Sequence, residues 1–106
     1  MQASAQRASN LLKAMANERR LMILCYLTKG ERTVSELEAL IGISQSALSQ
    51  HLARLRADGL VNTRRMAQNI YYSLSGSEAE TVMLALYEIY CAPREADSRK
   101  PAAVVD

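Results

Sequence analysis

A chain of 106 residues, 49% of them hydrophobic and with only two prolines and four glycines, has room for one small folded domain and is neither a fibrous repeat nor a low-complexity tract. Phe and Trp are absent, so Leu, Ile, Met and five Tyr must fill the core and any partner surface, a small set that points to oligomerisation as support. The formal net charge of +2 does not by itself name a nucleic-acid partner, and no stretch looks like a signal peptide or a membrane span, so a cytoplasmic protein with no membrane partner is expected.

Ala8, Leu11, Leu12 and Met15 recur at helical spacing and predict a first helix from about Ser4 to Ala16. Asn17 suits the N-cap of a second helix, Glu18 to Thr28, which carries Leu21, Leu24 and Cys25 on one face and is ended by Gly30. Thr33 to Ile41 forms a short third helix with Val34, Leu37, Leu40 and Ile41 on one side. Gly42 breaks it, Ile43 plugs the turn, and Ser44 caps the fourth helix. Helix, three-residue turn, helix is a helix-turn-helix.

The helix from Ser44 to Gly59 has one narrow apolar stripe, Leu48, Leu52 and Leu55. At 100° per residue Ser46, Ser49, Gln50, Ala53 and Ala57 fall opposite the leucines, flanked by Arg54 and Arg56. Hydroxyls and amides on such a face can read base edges, and small alanines let the backbone approach a groove. An ordinary helical hairpin would explain the leucines but not the serine- and glutamine-rich outer face. The expected DNA-facing set is therefore Ser44, Gln45, Ser46, Ser49, Gln50, His51 and Arg54.

Leu60 to Met66 and Ile70 to Leu74 predict a β-hairpin, with Ile70, Tyr72 and Leu74 facing inward, although its tip lacks the Asn-Gly or Asp-Gly of a strong turn. A hairpin directly after a recognition helix is a wing. Arg64 and Arg65 near its tip are expected on phosphates, the alternative being solvated arginines on an edge strand. Charge distribution agrees: Ser44 to Ser75 holds Arg54, Arg56, Arg64 and Arg65 against Asp58 alone, whereas Ser77 to Cys91 holds Glu78, Glu80 and Glu88 and no Lys or Arg.

The last helix, about Ser77 to Cys91, carries Val82, Met83, Ala85, Leu86, Tyr87, Ile89 and Tyr90, more apolar surface than one core contact requires. A second protomer should cover the excess, with the first helix as co-packer; the expected interface is Leu11, Leu12, Met83, Leu86, Tyr87 and Tyr90. Pro93 follows the helix end, so residues 1–92 read as one DNA-binding and dimerisation domain and 93–106 as a disordered tail.

Two cysteines in a reducing compartment read as thiols, a redox pair or ligands rather than a permanent disulfide. A thiolate can attack oxidised sulfur and a nearby second thiol can resolve the product, which would make Cys25 and Cys91 a switch; equally, Cys25 can be a small core hydrophobe and Cys91 an incidental surface residue. The dipole at the end of the last helix disfavours a thiolate at Cys91, which Arg94 could offset. An enzyme using the pair for thiol exchange lacks a Cys-x-x-Cys, a base near either thiol and a Gly-rich cofactor loop. No cofactor is expected.

With "LLKAMANERRLMILCYL" ahead of the DNA-reading unit and "SQSALSQHLARLRADGLVNTRR…AQNIYYSL" through it, the chain resembles the ArsR family of bacterial winged-helix repressors from about residue 8 to 91. The resemblance implies a mainly α winged helix-turn-helix of five helices plus a β-hairpin wing, dimeric through the first and last helices. It also implies an inverted-repeat operator in double-stranded DNA. The likeness is to the thiol-based members, and it implies Cys25 and Cys91 as sensing thiols and a persulfide, or another reactive sulfur or oxidant, as inducer. The metal-sensing pattern of the family is missing. Thr33 to Ile41 holds no Cys-x-Cys, and His51 is the only histidine, so Glu78, Glu80 and Glu88 would make a poor transition-metal site and no metal is expected.

Overall fold

The computed structural model describes residues 2–91. They form α1 (Gln2–Met15), α2 (Glu18–Leu27), β1 (Arg32–Thr33), α3 (Val34–Ile41), α4 (Gln45–Ala57), β2 (Val61–Met66), β3 (Asn69–Leu74) and α5 (Glu78–Tyr90). The segment expected to be a disordered tail, 93–106, lies outside the described residues, as does Arg94.

Side-chain caps start three of the helices. The Asn17 side-chain oxygen accepts from the N–H groups of Arg19 and Arg20 at 2.9 and 3.1 Å and opens α2. Thr33 and Glu36 close a capping box at α3, Thr33 Oγ1 accepting from Glu36 N–H at 3.2 Å and Glu36 Oε1 from Thr33 N–H at 2.9 Å. Ser44 Oγ accepts from Ala47 N–H at 3.1 Å and opens α4. Between α3 and α4 the chain turns through Gly42 at φ 81°, a left-handed conformation that costs glycine nothing.

The core sits under α4. Leu48, Leu52 and Leu55 are fully buried against Ile23 and Leu24 of α2 and Leu37 of α3, each apolar side chain contributing roughly 1.5–3 kcal/mol by leaving water. Leu60 and Val61 carry the core into the sheet, where Ser75 N–H donates to Leu60 O at 2.9 Å and ties the two roots of the hairpin together. The helix-turn-helix and wing are therefore one rigid platform that presents the outer side of α4.

The sheet has three strands in the order β1-β3-β2, all antiparallel. A two-residue strand has no period to read in sequence; β1 exists because Arg32 and Thr33 find an edge opposite Tyr72 and Tyr71. Tyr72 and Leu74 pack on the core, but Ile70, nearer the tip, does not join it. The hairpin closes through Ala67 and Gln68, with Ala67 at φ 56°.

Helix α5 divides the residues expected at the interface by their exposure in the protomer. Met83, with Ala79, is buried in the protomer's own core, so it has no surface to offer a second chain. Leu11 and Leu86 are half-buried against the same core, whereas Leu12, Tyr87 and Tyr90 are exposed. Leu84 and Ile89, absent from that set, are exposed too, Ile89 at 61%. Helix α1 buries only Ala14 and Met15, at its end.

Candidate nucleic-acid interface

The buried leucine stripe of α4 fixes which way the helix is rotated, and with it the opposite face. Ser44, Gln45, Ser46, Ser49, Gln50, Ala53 and Arg54 are all exposed on one continuous surface. His51, expected in the same set, is less exposed than the others. It is half-buried on the flank nearest α2, and its pKa is lowered below the ordinary histidine value by burial first and then by the charges of Arg20 and Arg19. Its flank position sets it apart from the fully exposed serines and glutamines of the outer face.

The arginines divide by what they already hold. Arg54 gives its Nε–H to Asp58 at 2.7 Å, four residues on, which leaves the rest of its guanidinium open. Arg64, expected on phosphates, is exposed and paired within the protomer: its Nε and Nη2 donate to the two carboxylate oxygens of Glu31 at 2.9 and 2.8 Å, and its Cζ lies 4.9 Å from the centre of the Tyr71 ring. The bond from Arg64 keeps the Glu31 carboxyl below its usual range. Arg65, one residue on, is exposed and has no ion pair among the described residues. Sequence reasoning missed Glu31, because nothing local links residues 31 and 64. The stack on Tyr71 was findable, since hairpin register sets Arg64 directly opposite it.

Both cysteines are free thiols. Cys25, half-buried on α2, packs against the core; Cys91 is the exposed C-cap of α5, its N–H donating to Tyr87 O at 2.8 Å. Helices α2 and α5 pack directly on each other. Among the described residues no three His, Cys, Asp or Glu side chains gather where they could hold a metal ion. No described helix is long and apolar enough to cross a membrane.

The sequence profile of bacterial regulatory proteins of the arsR family matches residues 17–63, across α2, α3, α4 and the start of the wing. Over 91 residues the chain is 54% identical to the transcriptional activator HlyU of Vibrio cholerae, covering 86% of this chain and 84% of that protein. The chain belongs to the ArsR family. A structure described as reduced HlyU from Vibrio cholerae superposes with a TM-score of 0.84 at 53% identity, over 87% of this chain and 97% of that one. A biofilm growth-associated repressor of Agrobacterium fabrum is 46% identical over 95 residues, 90% of this chain and 81% of that protein. A winged helix-turn-helix DNA-binding domain from Mycobacterium bovis, described as homodimeric, matches with a TM-score of 0.74 at 31% identity, over 82% of this chain and 81% of that one. This ArsR protein is thus a DNA-binding transcriptional regulator and not an enzyme, with the winged helix-turn-helix expected of it.

Proposed function

We propose that the protein acts as a homodimer that lays two copies of α4 in successive major grooves of an inverted-repeat operator, and that it releases the operator when reactive sulfur or an oxidant links Cys25 to Cys91. The observation that carries the DNA part is the division of α4 into a fully buried leucine stripe and an exposed face of serine, glutamine and alanine. In this reading Ser46, Ser49 and Gln50 contact base edges. Ser44, Gln45 and Arg54 fix register from the start and flank of the helix, and Arg65 meets phosphate from the wing.

The dimer reading is supported by exposed Leu12, Leu84, Tyr87, Ile89 and Tyr90 on α1 and α5, and by the description of the Mycobacterium bovis relative as homodimeric. The switch reading is supported by the direct packing of the two helices that carry or end at the thiols. One persulfide of a small thiol and the two cysteine thiols give a protein disulfide, the small thiol and hydrogen sulfide: the cysteines lose two electrons and two protons, and the outer sulfur of the persulfide leaves reduced. A bridge that shifts α5 would change the spacing of the two recognition helices, which must meet grooves about one helical turn apart. Full reversal from bound to free requires the bridged form to favour the released arrangement by about 5.5 kcal/mol.

A gel-shift titration on the operator with and without persulfide tests this reading. Wild type loses affinity on treatment, and its intact mass shows two hydrogens lost or sulfur added. Cys25→Ser and Cys91→Ser each bind in reducing buffer and do not respond. A single mutant that still releases DNA removes the paired-thiol switch.

A further inference from the structure

Arg64 and Arg65 are adjacent, exposed and on the same strand, yet their surroundings give them different work. We propose that Arg64 is a positioning residue: through its two-pronged pair with Glu31 and its stack on Tyr71 it fixes the angle of the wing against the segment that follows α2. Arg65 is left as the wing's phosphate contact. The inference rests on the reading that the wing meets the DNA backbone.

Each nitrogen of the Arg64 guanidinium is engaged. Nε and Nη2 take both oxygens of Glu31, and Nη1 lies 3.8 Å from the Met66 sulfur. One ring face of Tyr71 lies against the guanidinium, with the centroid 4.9 Å from Cζ. A planar fork matched to a carboxylate holds direction as well as distance, which a lysine or a single hydrogen bond would not. The carboxylate also offsets the charge, so the pair offers DNA little net attraction, while Arg65 keeps its own.

Orientation matters here because the hairpin is a lever. Its roots, Val61 and Leu74, are anchored at the core, and its closing residues Ala67 and Gln68 lie about six residues out, roughly 20 Å at 3.3 Å per residue. A few degrees of rocking at the root moves the tip by more than the tolerance of a hydrogen bond to phosphate. Glu31 lies 33 residues before Arg64, next to β1, and pairs with β2 at mid-strand, so it braces the lever from its far side.

The test measures operator affinity of the full chain across a salt series. Glu31→Gln with Arg64→Gln removes the latch without changing net charge; affinity falls about fivefold per subunit, the upper end for an exposed pair, and the salt slope stays as in wild type. Glu31→Gln alone weakens binding in the same direction. If the double variant flattens the slope by about two per dimer, or Glu31→Gln tightens binding, Arg64 is a phosphate contact and the proposal is wrong. Unchanged affinity in the double variant overturns it as well. Arg65→Ala, run alongside, judges the wing reading separately: an unchanged slope there removes the wing from the backbone, whatever the latch variants do.

Discussion

Side chains on the outer face of α4 and on the wing should fail in different ways when removed. Gln50 is exposed opposite the leucine stripe, so Gln50→Ala is expected to relax base preference at one operator position and to leave the salt dependence alone; competition binding against single-base operator variants reads this. Arg65→Ala should weaken all sequences alike and lower the salt slope by about two per dimer. His51 makes a pH prediction. Its folded pKa lies below the unfolded value of about 6.5, so the unfolded chain takes up the proton first. Stability is therefore intact above about 6.5 and is lost as pH falls from there through the lowered folded value. Thermal melts at about pH 7.5 and about pH 5.5 should show a smaller acid loss in His51→Gln than in wild type.

Among the elements, the wing carries a local cost that the helices do not. Ala67 stands at φ 56°, a left-handed conformation in which its Cβ is crowded, at the first position of a two-residue turn. Glycine adopts that conformation freely, and although it adds freedom to the unfolded chain, Ala67→Gly should stabilise the protein by about 0.5–1 kcal/mol. Chemical denaturation with an unchanged denaturant slope checks this, and a loss of stability would mean that the turn relaxes in solution. The helix starts show the opposite economy. Asn17, Thr33 and Ser44 each satisfy orphan N–H groups with one side chain, worth about 1 kcal/mol apiece, and α5, with no side-chain cap at Ser77, depends on tertiary packing.

Across the whole molecule, the 14-residue α1 is the helix with the longest stretch left uncovered, buried only at Ala14 and Met15 near its end. An isolated helix of that length is marginal in water, so its order asks for a surface to pack on. In the proposed dimer, exposed Leu12 on α1 and Leu84, Ile89 and Tyr90 on α5 would supply the apolar area that a second protomer covers. Tyr90 is 79% exposed in the protomer, so Tyr90→Glu should leave the fold intact while placing an unpaired carboxylate in the dimer interface. Sedimentation should show a folded monomer with sharply reduced operator affinity; a folded dimer that binds normally would remove these helices from the interface.

Features written within a few residues were legible in the chain: the caps at Asn17 and Ser44, the break at Gly42, and the leucine stripe whose period of 3.6 sets the outer face of α4. Family likeness in the stretches flanking and crossing the recognition helix carried the DNA-binding assignment. Which way each side chain turns, and which distant segment it meets, came from the folded chain. Helix α5 is apolar almost all round, so its pattern could not say that Met83 turns into the protomer and Ile89 out of it. Periodicity reports which residues avoid water, and not which protein lies on each side of them. The lowered pKa of His51 beside the charges of Arg20 and Arg19, β1 at the edge of β3, and Glu31 across 33 residues from Arg64 all depend on the approach of segments distant in sequence. Such contacts form only once the core under α4 has brought those segments together, and no local spacing encodes them.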